Sequence, residues 1–290
     1  MVDDPMGEPA LQPDSSASTR RAAPPPLSAR PDSRRQNVVT GRIARIARAI
    51  EADVVPRLVA RGLPDAAPRP TEQEVERMAA LAIADDVADA IAFAEALGAR
   101  GVPVPALLLH LLSPAAARLG EWWSEDRCSF VDVTLGLMHL QQVLQALSPV
   151  LLPDVAAPAD VRRILLLPAP GEQHVFGLSV VAEFFRRGGW DVALEPADDA
   201  ASALRLVRQG WFTVIGLSAG TAERAAELAS LIAALRRASC NPDVAVLVGG
   251  AAFRARPELA REVGADGMAG DGEQAVRQAE ALAALLAARA

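Results

Sequence analysis

From residue 40 onwards the apolar positions recur three and four residues apart. Ile43, Ile46, Ile50 and Val54 mark one face of a first helix, which Pro56 kinks and Gly62 stops. Thr71-Glu72-Gln73-Glu74 has the Thr-x-x-Glu form in which hydroxyl and carboxylate satisfy each other's helix-terminal amides. It opens a segment with Val75, Met78, Leu81, Val87, Ile91 and Phe93 on one face, which predicts a single long helix to about Leu97. Gly98 and Gly101 end it, and Pro103 and Pro105 restart a short apolar helix through Leu112. Ser113-Pro114 reads as an N-cap with proline at the first helical position, launching a further helix towards Trp122 and Trp123. Ser129 and Asp132 form another capping-box start, with Phe130, Val133, Leu137, Leu140, Leu144 and Leu147 expected on the inward face. Residues 40–150 therefore read as a helical bundle.

Beyond a linker at 152–160, carrying Pro153 and Pro158, the period changes. Strands are expected at 163–167, 191–195, 212–218, 244–249 and 267–269, and helices at 176–187, 200–209, 222–238, 257–263 and 273–288. Short strands, several apolar almost throughout and alternating with helices, predict a parallel sheet covered on both faces. The expected fold class is α/β: a helical bundle over 40–150, then a flavodoxin-like (Rossmann-like) doubly wound five-stranded parallel sheet over 161–290.

Residues 1–37 hold seven prolines, five serines and five arginines with no apolar period, so they read as a disordered tail. Five acids, Asp3, Asp4, Glu8, Asp14 and Asp32, cancel the arginines and argue against a nucleic-acid arm. A net charge of −7 points the same way, because coating phosphate needs a concentrated excess of Lys and Arg. The 290 residues, 51% hydrophobic, suffice for about two domains, and the two cysteines, Cys128 and Cys240, suit a reducing, cytoplasmic setting. No apolar run approaches a bilayer span, and the opening residues lack the pattern of a signal peptide.

Ligands on doubly wound sheets bind beyond the carboxyl ends of the strands, so the loops there hold the candidate chemistry. After the first strand comes Pro168-Ala169-Pro170-Gly171-Glu172-Gln173-His174-Val175-Phe176-Gly177, which sets one of three histidines beside a carboxylate. A neutral imidazole can bind a metal through one nitrogen while a carboxylate fixes its tautomer through the other. On spacing alone, His174 is equally well a cap of the following helix. Ser218-Ala219-Gly220-Thr221 and Gly249-Gly250-Ala251-Ala252 follow the third and fourth strands and leave room for a slot against the sheet.

Together, Glu172-x-His174-x-x-Gly177, Ser218 and Gly249-Gly250 resemble the signature of cobalamin-binding domains, with Gly220 standing where Leu or Thr is usual. The resemblance implies cobalamin as cofactor and His174 as the lower ligand of cobalt. It also implies Glu172 and Ser218 as partners of that histidine, and a channel for the displaced nucleotide tail at Gly177, Gly220, Gly249 and Gly250. The family's usual companion to this domain is a helical bundle capping the upper corrin face, and residues 119–134 are similar to those of light-sensing cobalamin regulators. Their Trp, nine residues, Glu-His motif becomes Trp122, nine residues, Asp132-Val133 here, without the histidine. The Trp-Trp and Val-Thr form resembles the AerR/PpaA photosynthesis antirepressors, which implies Trp122 or Trp123 as a flat lid over the corrin and a repressor protein as partner, with any DNA contact indirect and no membrane contact. His139, and Cys128 beside the turn, are weaker candidates for an upper ligand and an oxidant-responsive group. The resulting expectation is a light- or redox-responsive regulator that is not an enzyme. The alternative is a corrinoid carrier of a methyltransferase system, and a generic flavodoxin-like binding module ranks behind both.

Overall fold

The computed structural model describes residues 68–148, 162–172, 175–196 and 199–288. The expected tail at 1–37, the first helix and the linker lie outside the described residues.

Helix α1, Glu72–Ala82, begins with the expected capping box: Glu74 N donates to Thr71 Oγ1 at 3.3 Å, and Thr71 N donates to Glu74 Oε2 at 2.8 Å. It does not continue to Leu97. A second N-cap, Asp86, accepts from Ala88 N at 2.8 Å and starts α2, Val87–Ala99, so the long helix is two. A short carboxylate that binds its own backbone competes with helix continuation, and the apolar period runs through the break without registering it. α3, Val104–Leu107, passes through a π-helical turn, Leu108–Leu112, directly into α4, Ser113–Ser124. Ser113 is therefore no N-cap: its hydroxyl donates to the Leu108 carbonyl at 2.9 Å inside a continuous helix. Pro114 has no amide to give, and a wide turn before it absorbs the mismatch.

Helix α5, Phe130–Leu147, opens on the Ser129–Asp132 capping box. Leu140, Leu144 and Leu147 are buried, and Val133 and Leu137 pack partly against the same core with Met78, Leu97, Leu111 and Leu119. Phe130, expected inward, is 66% exposed. At 100° per residue it falls between the core-packed Leu137 and the exposed Thr134, at the edge of the buried face, and it sits in the first turn of α5.

Strands β1 Arg163–Pro168, β2 Asp191–Leu194, β3 Val214–Ser218, β4 Ala245–Gly249 and β5 Gly267–Ala269 form one parallel sheet in the order β2-β1-β3-β4-β5. Between and after them lie α6 Phe176–Arg187, α7 Ala200–Gln209, α8 Ala222–Ala238, α9 Ala251–Ala255, α10 Leu259–Glu262 and α11 Gly272–Ala287. The expected helix at 257–263 shortens to α10, and α9 was not legible in the pattern. Ile164, Leu166 and Leu247 pack under α6 and α11, while Leu165, Leu217 and Val248 pack under α7 and α8. Burial on both faces explains strands with almost no polar alternation. The bundle joins the sheet module through α6, whose Phe176, Val180 and Phe184 belong to the bundle core, and the Ser148 hydroxyl donates to the buried Glu183 carboxylate of the same helix.

Candidate cofactor site

The loops after β1, β3 and β4 lie side by side because the register sets Pro168 opposite Ser218 and Ser218 opposite Gly249. Two further amides continue the ladder beyond the strands: Ala169 N donates to the Ser218 carbonyl at 2.8 Å and Ala219 N to the Gly249 carbonyl at 3.0 Å. Their close approach depends on missing side chains. Gly250 has φ +99°, and a Cβ there would lie 2.3 Å from the Ala219 carbonyl oxygen. A Cβ on Gly249 would come within 3.1 Å of the Ala269 carbonyl oxygen. Gly250 lets the β3 and β4 loops close on each other as no L side chain would, and Gly249 allows a tight approach to β5.

Glu172 is fixed across this group. Its Oε2 accepts from the Gly220 amide at 2.7 Å, and a Cβ on Gly220 would stand 2.7 Å from the same oxygen. That accounts for glycine at a position where the motif elsewhere carries a side chain. The structure thus engages Glu172 with the Gly220 amide, two residues past the Ser218 that the sequence suggested; Ser218, half-buried, contributes its carbonyl to the Ala169 amide. Arg224, which no motif singled out, reaches back from α8 to donate to the Pro170 carbonyl at 3.0 Å and overlies Gly171, whose φ is +72°. A long-range arginine contact of this kind leaves no sequence signal.

His174 and Gln173 lie outside the described residues. The chain resumes at Val175, which is exposed and begins α6 without a side-chain cap. A Cβ on Gly177, in the first turn of α6, would meet nothing within 4 Å. No packing among the described residues therefore explains the glycine, which leaves open space at the mouth of the loop.

Trp122, Trp123 and Asp132 occupy the corner between α4 and α5, and their partners belong to the same corner. Trp122 is 6% exposed with the Arg127 guanidinium 4.9 Å above its ring, and its indole Nε1 has no acceptor among the described residues. Trp123, one residue and about 100° further round, is 52% exposed and meets Phe130 edge to face at 6.3 Å. Asp132 is half-buried, and the Ser129 backbone amide holds its carboxyl below the ordinary carboxylate range. His139, considered as an upper ligand, is buried in the bundle with Nδ1 2.9 Å from the Ala82 carbonyl, a contact that ties α5 to the end of α1. Burial raises the Cys128 thiol, which makes it a poor nucleophile.

Comparison with known proteins interprets these loops. The B12 binding domain family matches residues 162–280. A 20.5 kDa protein in the bchF-crtJ intergenic region of Rhodobacter capsulatus is 32% identical over 165 residues, covering 57% of this chain and 85% of its own. The chain belongs to the family of B12-binding-domain proteins. Its cofactor is cobalamin. The HTH-type transcriptional repressor CarA of Myxococcus xanthus is 38% identical over 117 residues, 40% of this chain but only 37% of that protein. The Methanosarcina barkeri monomethylamine corrinoid protein has the same fold, with a TM-score of 0.58 at 16% identity, covering 76% of this chain and all of that one.

The loops beyond β1, β3 and β4 leave space at one point: no described residue fills the ground at Gly177, whereas Gly220, Gly249 and Gly250 are closed on by Glu172, Ala269 and Ala219. Among the described residues no group of three His, Cys, Asp or Glu is placed to hold a bare ion, and a metal already chelated by a macrocycle needs none. No helix among the described residues is long and apolar enough to cross a membrane.

Proposed function

We propose that this protein is a cobalamin-dependent regulator, of the antirepressor type, that acts on a transcriptional repressor in response to light or redox state. The observation that carries the reading is the likeness to the protein of the bchF-crtJ photosynthesis region over 85% of that protein's length; likeness to the repressor CarA supports it.

In this reading His174 is the lower ligand of cobalt and Glu172 fixes its ring. The Gly220 amide holds the Glu172 carboxylate in one orientation, which offers the imidazole a fixed hydrogen-bond acceptor. We assign the nucleotide tail to the ground beside Gly177, Gly220, Gly249 and Gly250, with Ser218 at its rim; of these positions Gly177 has space that no described residue fills. Bound cobalamin supplies a cobalt whose upper ligand is exchangeable by light or by a change of redox state. Of the tryptophan pair we assign Trp122 to the corrin side, because its buried N–H has no acceptor among the described residues, and Asp132 anchors the helix beside it. The loop bearing His174 leads directly into α6, and Phe176, Val180 and Phe184 pack in the bundle core, so a shift of that loop is felt by the bundle through rigid packing.

The second reading, a corrinoid carrier serving a methyltransferase, is favoured by the fold shared with the monomethylamine corrinoid protein. Two measurements separate the readings. His174→Ala should change the visible spectrum of the holo-protein or release the cofactor; an unchanged spectrum removes His174 from the cobalt. Binding to a purified repressor should differ between illuminated and dark holo-protein. Equal affinity in both, together with methyl transfer in the presence of a methyltransferase, would establish the carrier instead.

A further inference from the structure

The loop that carries Glu172 out of β1 is held from α8 as well as from the sheet. Ala169, Pro170, Gly171 and Glu172 form a β-turn closed by the Glu172 amide, which donates to the Ala169 carbonyl at 2.8 Å. Proline at the second position fixes φ near about −65°, and Gly171 has φ +72°, so the turn is of type II. A type II turn becomes type I when its central peptide turns over, which here would bring the Gly171 φ to about −90° and carry the Pro170 carbonyl to the opposite face. Glycine is free to adopt either conformation. Arg224 discriminates between them, because its Nη1 donates to the Pro170 carbonyl at 3.0 Å and loses that acceptor when the peptide turns over. The guanidinium also faces Gly171: a Cβ there would lie 3.0 Å from Nη1, 3.0 Å from Nη2 and 3.1 Å from Cζ. Glycine is therefore needed twice at this position, for its φ and for the room it leaves.

The contacts to this turn converge from one short stretch of chain. The Ser218 carbonyl accepts from the Ala169 amide, the Gly220 amide donates to the Glu172 carboxylate, and Arg224 holds the peptide between them. Thr221 caps α8, its hydroxyl accepting from Arg224 N at 3.4 Å, so the arginine starts from a fixed first turn. The turn's own hydrogen bond suffices to close it. Anchorage at both ends and in the middle is what a binding group needs in order to keep one geometry. The pair that Arg224 makes with Glu227, at 3.5 Å, is exposed and contributes little. We propose that Arg224 is a positioning residue of the cofactor site: it keeps the turn in its type II form and so fixes the direction in which the Glu172 carboxylate and the chain beyond it approach cobalamin. It acts through the turn, not by contact with cobalt. The proposal rests on the reading of His174 as the lower ligand and is independent of the choice between regulator and carrier.

Electron paramagnetic resonance of the full-length holo-protein in its Co(II) form reads the lower ligand directly. In protein grown on the heavy nitrogen isotope, an imidazole of the protein splits each cobalt line into a doublet, whereas the unlabelled base of cobalamin splits it into a triplet. Wild type should give the doublet and His174→Ala should lose it. Arg224→Met should convert a large share of the bound cobalamin to the triplet or to lines without nitrogen splitting, and lower cobalamin affinity about tenfold. Arg224→Lys, which keeps a donor for the Pro170 carbonyl, should restore most of the doublet, and Glu227→Gln should leave it unchanged. A merely structural role would change how much cobalamin binds, not which nitrogen holds its cobalt. Gly171→Ala attacks the same turn from the other side and carries the test if circular dichroism shows that Arg224→Met does not fold. It too should lose the doublet, and the variant with both changes should be no worse than the worse single one. A doublet of wild-type intensity in Arg224→Met or in Gly171→Ala overturns the proposal, as do additive losses in the double variant, which would mean two separate roles. A wild-type protein without the doublet, or a doublet kept in His174→Ala, refutes His174 as the lower ligand and with it any role of Arg224 in placing it. A doublet that depends on His174 but is indifferent to Arg224 refutes the positioning role alone.

Discussion

A methyl group added at Gly177 distinguishes the needs of the chain from those of its cofactor. Gly177 lies in the first turn of α6 and a Cβ there meets nothing within 4 Å, so Gly177→Ala encounters no clash with the described residues. Replacing glycine by alanine in a helix lowers the entropy lost on folding and stabilises by up to about 1 kcal/mol. For a protein of this size that raises the melting temperature of the cobalamin-free protein by about 1–4 °C. The same methyl occupies space assigned here to cobalamin, and overpacking a filled contact costs about 1–3 kcal/mol, a loss of affinity of roughly 5- to 160-fold. The expected result is a change of opposite sign in the two states. Thermal melting of the apo-protein and a cobalamin titration followed by visible absorbance measure it. Gly250→Ala is the contrast: at φ +99° and 2.3 Å from the Ala219 carbonyl oxygen, it should destabilise the apo-protein as well. Unchanged cobalamin affinity in Gly177→Ala would show that the open space at α6 is not part of the cofactor site, and a lowered apo melting temperature would refute the packing argument.

Gly220→Ala sets a methyl 2.7 Å from Glu172 Oε2 and should perturb the cobalamin spectrum more than Glu172→Gln, which keeps an acceptor for the Gly220 amide; the reverse order would make that hydrogen bond unimportant. Trp122→Phe removes an unpartnered buried donor, so the apo-protein should keep or raise its melting temperature while cobalamin binding or its spectrum changes. A drop of several degrees would mean that the N–H is satisfied. Asp86→Ala should cost about 1 kcal/mol by removing the N-cap of α2, and a stability indistinguishable from wild type in urea would argue for the uninterrupted helix. The carboxyls of Asp132 and Asp199 are depressed chiefly by backbone amides, those of Ser129 and Ser202. Their contribution is therefore full above the ordinary carboxylate range and is lost as pH falls through it towards the lower folded values. Urea midpoints should decline below about pH 5, and Asp132→Asn with Asp199→Asn should flatten that decline; parallel curves would discount the caps.

The alternation of elements was legible because each carries its own local signal. Five strands stood out as short apolar runs, and the α6, α7 and α8 helices at 176–187, 200–209 and 222–238 match the expected bounds. The capping boxes at Thr71 and Ser129 were equally local, since all their atoms lie within four residues. The failures arose where two local rules compete or where a partner is distant. Asp86 breaks a helix whose apolar period continues unbroken, Ser113 bonds back to the Leu108 carbonyl because a π-helical turn runs directly into the helix that holds Pro114, and Phe130 points outward despite its spacing.

Strand order, the Glu172–Gly220 bond across 48 residues and the division of labour between Trp122 and Trp123 were decided only by tertiary structure. The sequence alone determined that an α/β sheet follows a helical bundle, because apolar period and turn chemistry act over a few residues. It also carried the cobalamin motif, because those glycines and that carboxylate must have their own chemistry wherever the chain folds. Which amide holds the carboxylate, and which indole faces outward, depends on surfaces that come into contact only when distant segments pack.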